Sequence, residues 1–330
     1  MDELINKIKY LKNKEIFERI FDFKVEKAKQ IFTEKLKENF KEGEEQNIYI
    51  FINKILKHET HFNIWRAKRR EPKESKDIKT YDPFCNPLEE TPVDNIGRLE
   101  NEYAITASNL AKISSLHSLV IFKKHKKEEL NFSDFLNGFD LALKWFELQN
   151  SQIKVLIFNY GLRAGASIEH PHFQIISLDE IPYKVKDFYE KIEKYNEEFN
   201  SNYLNDLFLV LEELDLARKL NNLNLIINLT PFKDKEIFFF DDKIENCKKE
   251  ISLILSTYKE FSENFNLFLL ESNKGLLGYI VDRGEKEKIN SDIGALEIYA
   301  FSVVGFNLLE FAKDFILKLE EKELEFQNLT

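Results

Sequence analysis

Two histidines and a glutamine occupy alternate positions in His170-Pro171-His172-Phe173-Gln174, directly after a loop that carries Gly161, Gly165 and Ser167. Successive side chains of a strand point to opposite faces, so this spacing predicts His170, His172 and Gln174 on one face. Apolar runs on both sides of the motif, residues 153–158 and 175–178, predict buried strands. Imidazoles held among buried strands need a hydrogen bond, a metal or a substrate. An imidazole is neutral above about pH 6.5 and can then act as a nucleophile, whereas an amide can donate and accept hydrogen bonds but cannot protonate a leaving group. The plainer alternative is a pair of core histidines satisfied by hydrogen bonds alone.

A chain of 330 residues can bury a large core as one domain or two, and 43% hydrophobic with 32% charged residues is ordinary globular composition. The formal charge of −10 argues against a duplex nucleic-acid binder, whose affinity comes largely from Lys and Arg on phosphates. Cys85 and Cys247 stand far apart, so no disulfide framework is implied. Apolar runs stay well short of the roughly 18 residues of a membrane span, and Met1-Asp2-Glu3-Leu4 lacks a basic-then-apolar leader, so no membrane contact and a reducing cytoplasm are expected.

Residues 1–57 read as an appended helical region, with Leu4, Ile8, Leu11, Ile16, Ile20 and Phe23 at helical spacing and a second run through Val25, Ala28, Ile31 and Leu36. Residues 73–100, rich in Pro, Asp, Glu and Asn, read as an irregular loop. Strands are expected at 102–107 and 117–122. His125, inside a lysine run, is expected to be solvated. A helix over 131–150 has Ser133 as a candidate cap. Helices at 181–199 and 204–220 precede strands at 225–229 and 236–240, a helix at 244–261, strands at 266–270, 276–281 and 296–303, and a last helix at 308–321.

The segment from Asn159 to Gln174, an Asn followed by Gly-x-x-x-Gly-x-Ser and His-Pro-His-x-Gln, resembles the active-site stretch of galactose-1-phosphate uridylyltransferases, a branch of the histidine-triad (HIT) superfamily. The resemblance implies an α+β, HIT-like fold: two repeats of antiparallel sheet with packed helices, the second repeat degenerate. Its expected layout is a helical extension over 1–57, a catalytic domain over 58–200 and a second repeat over 201–330. It implies a nucleotidyltransferase acting on a nucleotide sugar and a sugar 1-phosphate through a nucleotidyl-histidine. His172 would be the nucleophile, with a backbone carbonyl of the motif holding its other nitrogen, and Gln174 would support the adduct. Arg66 and Arg69, matching an Arg-x-x-Arg element, would grip phosphates, as would Asn159, Gly165 and Ser167.

Asp82 and Cys85 stand where the family often has Cys-x-x-Cys. With His117 and His170 they would form a four-ligand set that a zinc ion suits, or that hydrogen bonds alone could satisfy. No organic cofactor is expected, and the family allows a homodimer. The same intermediate would serve a phosphorylase of dinucleoside polyphosphates or nucleotide sugars, and a nucleotide-binding protein without turnover is a third reading. All six histidines lie at or before position 172, so the second half cannot hold a second His-centred site.

Overall fold

The computed structural model describes residues 1–29, 45–63, 82–110, 112–285 and 292–327. Two helices, α1 (Asp2–Lys9) and α2 (Lys14–Ile20), lead into strands β1 (Phe21–Lys29), β2 (Glu45–Asn53) and β3 (His58–Phe62). After the short α3 (Pro87–Glu90) come β4 (Ala104–Ser108), β5 (Leu116–Phe122), α4 (Phe132–Leu148), β6 (Ile153–Tyr160) and β7 (His172–Leu178). Helices α5 (Tyr183–Phe199) and α6 (Tyr203–Glu212) connect to β8 (Ala217–Leu220), β9 (Leu223–Ile227), β10 (Ile237–Asp241), α7 (Ile244–Tyr258), β11 (Phe265–Ser272) and β12 (Gly275–Asp282). The chain closes with α8 (Ala295–Tyr299), β13 (Ser302–Val304) and α9 (Leu308–Gln327).

The order β4, β5, α4, β6, β7 recurs as β9, β10, α7, β11, β12. Both copies lie in one nine-stranded antiparallel sheet, ordered β4-β5-β7-β6-β11-β12-β10-β9-β8, and they meet where β6 pairs with β11. This is the expected α+β architecture of two antiparallel repeats with packed helices. Helices α4 and α7 lie against each other, and Trp145, Phe135, Phe139, Ile251 and Leu255 belong with Phe122, Phe158 and Phe173 to the main core. The opposite face of β5, β6 and β7 carries His117, His172 and Gln174 in register with residues of two smaller apolar clusters, among them Leu119, Ile121 and Ile176. Helix α4 is capped by Asn131 rather than Ser133. The Asn131 side chain accepts from the amides of Ser133 and Asp134, and Asp134 accepts from the Asn131 amide.

Three sequence expectations need correction. The region over 1–57 is helical only to Ile20; β1 and β2 pair from Phe21↔Asn53 to Lys29↔Glu45, with residues 30–44 outside the described set. Phe21, Phe23 and Val25 repeat every second residue, a strand period that the many Lys and Glu around them obscure. The region packs on the rest of the chain: β13 from the far end of the chain pairs in parallel with β3, and Leu4, Phe17, Phe51 and Phe62 lie in the main core. The helix expected over 204–220 stops at Glu212, and Asp215, in the left-handed region at φ 59°, turns the chain into β8. The strand expected over 296–303 is divided between α8 and β13.

The turn from β9 to β10 wraps around a buried carboxylate. Glu236 accepts from Asn228 Nδ2 and from the Phe232 amide, with Lys184 contributing a weaker favourable field, yet burial pushes its carboxyl up to about 7. A carboxyl raised from its ordinary 4.5 binds its proton more tightly folded than unfolded, so stability is fullest at low pH and falls as pH rises from about 4.5 to 7. The loss attached to Glu236 is on the order of 3 kcal/mol. Denaturation of wild type and Glu236→Gln at pH 5 and pH 8 should therefore show the variant gaining on wild type by about that amount at the higher pH.

Candidate active site

His172, Gln174 and Ile176 share one face of β7, and the register with β5 sets Ile121, Leu119 and His117 opposite them. On this face Phe84, Ile105, Ala107, Leu119 and Ile121 form a small apolar floor, with Ile168 packed against it. On the other side of β7, Phe158 pairs with Phe173, and one step further along the same ladder Asn159 stands opposite His172. Asn159 in turn pairs with Asn266 of β11. His172, Asn159 and Asn266 thus form a row across three strands, two from the first repeat and one from the second.

His172 is buried, and its Nδ1 lies 2.8 Å from the carbonyl oxygen of His170. A carbonyl can only accept, so Nδ1 carries the hydrogen and Nε2 keeps the lone pair. Burial holds the imidazole below its usual titration range despite that bond, which favours the neutral ring. The Phe84 ring meets His172 edge to face at 4.9 Å and limits its rotation.

Gln174 is oriented by similar reasoning. The Ile113 amide donates to His117 Nδ1 at 3.2 Å, so the other ring nitrogen of His117, Nε2, bears the hydrogen; it lies between Gln174 Oε1 at 3.1 Å and the Asn109 side-chain amide at 2.9 Å, whose oxygen must be the group turned to the ring. With its oxygen engaged there, Gln174 has its amide nitrogen left to donate to a ligand. His117 therefore serves as the partner of Gln174. It is not part of the metal-type cluster in which it was expected.

That cluster is Asp82, Cys85, His125 and His170, whose ligand atoms all lie within 4.8 Å of one another. Antiparallel register explains why His125 takes the place expected for His117. His117 pairs with Ile176, six residues along the ladder from His170, or about 20 Å. The chain beyond the end of β5 at Phe122 runs past His170 instead, and it brings His125 with it. The sequence signal for His125 was its distance past the end of one strand, legible only with the pairing partner known.

The donor set fits a metal ion. Nε2 of His170 lies 2.8 Å from the Phe122 carbonyl and donates to it, which turns the Nδ1 lone pair toward the Asp82 carboxylate at 3.1 Å. Asp82 Oδ2 also lies 3.2 Å from His125 Nδ1, and Cys85 Sγ lies 3.1 Å from His125 Nδ1 and 4.0 Å from His170 Nδ1. Acceptors this close need a proton or a cation between them, and zinc–ligand bonds of about 2.0–2.3 Å in a tetrahedron put ligand atoms about 3.3–3.6 Å apart. Burial and the neighbouring Asp82 push the Cys85 thiol up; a central cation would reverse that. Burial also acts to raise Asp82, but hydrogen bonds from Cys85 and the Phe84 amide outweigh it and leave the carboxyl below its usual range.

The loop between β6 and β7 folds as a tight turn over Leu162–Ala164, with Gly165 and Ser167 exposed beside the motif. Gly161 has φ +97°, and a Cβ there would collide with Asn264 Oδ1 and Lys127 Nζ; Gly165 has φ +88° but nothing within 4 Å. Gly161→Ala should thus cost about 2–4 kcal/mol, strain plus overpacking, and Gly165→Ala about 1–2 kcal/mol, strain alone, in urea denaturation. Arg66 and Arg69 lie outside the described residues. Among the described residues no helix is long and apolar enough to cross a membrane.

Two antiparallel repeats in one sheet, with His172 and Gln174 of the His-Pro-His-x-Gln motif on a central strand and the His172 imidazole against the His170 carbonyl, make the α+β, HIT-like fold that the motif led us to expect. Solved structures agree on the fold. An ADP-glucose phosphorylase from Arabidopsis thaliana, with bound ADP-glucose, is similar at 16% identity and TM-score 0.60, over 81% of this chain and 97% of that one. A GalT-like protein from Arabidopsis thaliana is similar at 16% identity and TM-score 0.58 over the same shares, 81% and 97%. A uridylyltransferase is similar at 12% identity and TM-score 0.55, over 82% of this chain and 98% of that one. Residues 11–188 match the Ap4A phosphorylase N-terminal domain, and the chain belongs to that family. No curated protein matches it.

Proposed function

We propose that this chain is a nucleotidyltransferase that moves a nucleoside monophosphate from a nucleotide sugar to a sugar 1-phosphate through a covalent adduct on His172. The observation that carries the reading is the Nδ1 contact of His172 with the His170 carbonyl at 2.8 Å, because it leaves the distal nitrogen as a neutral nucleophile. In the first step the Nε2 lone pair attacks the α-phosphorus, the bond to the bridging oxygen breaks, and a sugar 1-phosphate leaves. In the second, a phosphate oxygen of the acceptor attacks the same phosphorus and His172 leaves with its lone pair restored. Neither step needs the Nδ1 proton to move. Gln174, its oxygen held by His117, donates to the phosphoryl oxygens. An amide in that position cannot protonate a leaving group, so the adduct waits for a phosphate acceptor. Asn159, Gly165, Ser167, Arg66 and Arg69 complete the donor set.

Asp82, Cys85, His125 and His170 would hold a zinc ion. With four protein donors that site is closed, so a bound ion supplies bracing rather than a reacting water. It would tie the Asp82–Cys85 turn, and with it Phe84, to the residue whose carbonyl orients His172.

Membership in the Ap4A phosphorylase N-terminal domain family supports a second reading, in which inorganic phosphate is the acceptor and a dinucleoside polyphosphate or nucleotide sugar is the donor. Intact-mass measurement after incubation with UDP-glucose, ADP-glucose or diadenosine tetraphosphate identifies the donor. Addition of galactose 1-phosphate or inorganic phosphate then shows which acceptor discharges the adduct. Discharge by the sugar phosphate supports the transferase, and discharge by phosphate supports the phosphorylase. Tight nucleotide binding with no adduct from any donor would overturn both.

A further inference from the structure

We propose that Asn266, in the second repeat, is a positioning residue that determines which end of the Asn159 amide faces the substrate phosphates. The inference rests on the nucleotidyl-transfer reading of the His172 site. A chain of hydrogen bonds whose polarity is fixed at its far end carries it. The Asp292 carboxylate accepts from Arg283 Nε at 2.6 Å and from a second guanidinium nitrogen at 2.9 Å. Lys233 also donates to the Asp292 backbone carbonyl. Partial burial acts to raise Asp292, but the two Arg283 bonds outweigh it and hold the carboxyl below its usual range. The third guanidinium nitrogen of Arg283 donates to Asn266 Oδ1 at 2.6 Å.

Guanidinium has no acceptor, so the group of Asn266 that faces Arg283 must be its oxygen. Its nitrogen is then turned the other way, and it donates both hydrogens, to Asn159 Oδ1 at 2.8 Å and to the Ala164 carbonyl at 2.7 Å. All the polar capacity of Asn266 except one lone pair is thereby used. The oxygen of Asn159 is engaged in turn, which leaves its nitrogen as the group available to a ligand beside His172.

An anionic phosphoryl group needs donors, and an amide turned the other way would present a carbonyl oxygen to it. The same residue holds the Ala164 carbonyl at the turn before Gly165 and Ser167, so one side chain sets both the Asn159 amide and the phosphate loop. Reading the second repeat as scaffold alone leaves this contact without a purpose.

The test compares wild type, Asn266→Ala, Asn266→Asp, Asn159→Ala and the Asn159→Ala/Asn266→Ala pair, by single-turnover adduct formation on His172 and by ADP affinity. Asn266→Ala should slow adduct formation about 10–100-fold, the usual effect of misplacing one oriented group. Asn266→Asp keeps the size of the side chain but makes Asn159 donate to it, turning the Asn159 oxygen to the substrate. It should therefore be slower than Asn266→Ala, the reverse of what a space-filling role would give. Asn266→Ala should add little to Asn159→Ala, since the two act through one amide.

Wild-type rates in both Asn266 variants, additive losses in the pair, or an aspartate variant faster than the alanine variant would overturn the proposal. If Asn266→Ala does not fold, the isosteric Asn266→Asp supplies the comparison. If wild type forms no adduct at all, the transfer reading falls separately. The ADP affinities then decide the positioning role: the same order upholds it and equal affinities remove it.

Discussion

His172→Asn should form no covalent nucleotidyl adduct with any donor, and turnover should fall by about 10⁴–10⁶-fold, the range seen when an enzyme loses its nucleophile. Asparagine is the informative replacement because it can still donate to the His170 carbonyl that Nδ1 contacts at 2.8 Å, while it has no lone-pair nitrogen to attack phosphorus. His172 is buried against Phe84, so alanine would also open a cavity, and a fall in its activity would mix lost chemistry with lost packing. Mass spectrometry after donor incubation reads the adduct, and a melting curve checks the fold. An adduct of normal size on His172→Asn would place the nucleophile elsewhere.

Metal content gives the second large effect. Wild-type protein should hold close to one zinc ion per chain, and chelation should lower its stability by several kcal/mol, because an ion that binds only the folded state adds its binding free energy to folding. His125→Ala and Cys85→Ala should lose the ion, since each removes one of four converging ligand atoms. His117→Ala should keep the ion and slow adduct formation instead, because His117 orients Gln174. Zinc quantitation on the three variants, beside their single-turnover rates, separates these outcomes. A His117→Ala protein without zinc, together with a His125→Ala protein that retains it, would reverse the assignment. Metal-free wild type purified from zinc-supplied cells would favour the hydrogen-bonded alternative for the cluster.

Residue spacing alone was enough to anticipate His172 and Gln174 on one face of one strand, whereas His170, expected with them, lies before β7 begins and joins the Asp82 cluster. His172 and Gln174 had to share that face because side chains alternate, and Asn159 and the glycines of the loop had to lie near because they are close in the chain. The α+β repeat was legible from the order of its elements, and the absence of histidine after position 172 confined the chemistry to the first copy. Strand β1 was hidden because its alternating Phe21, Phe23 and Val25 are interleaved with Asp, Lys and Glu, and β2 because its short, largely buried apolar run over residues 48–52 cannot be told from a helix segment by periodicity alone.

What spacing could not settle was which distant residues meet. His117 and His125 are chemically identical side chains eight positions apart, and only the register of β5 against β7 sends one to Gln174 and the other to His170. Asn266 and Arg283 could not be found from the motif either, since they belong to the second repeat and reach Asn159 only because β11 pairs with β6. Local periodicity fixes the direction of a side chain, and pairing across strands far apart in sequence fixes its partner. The proposed nucleophile of this protein was therefore readable from its own neighbours in the chain, while the groups that orient its surroundings were decided by the assembled sheet.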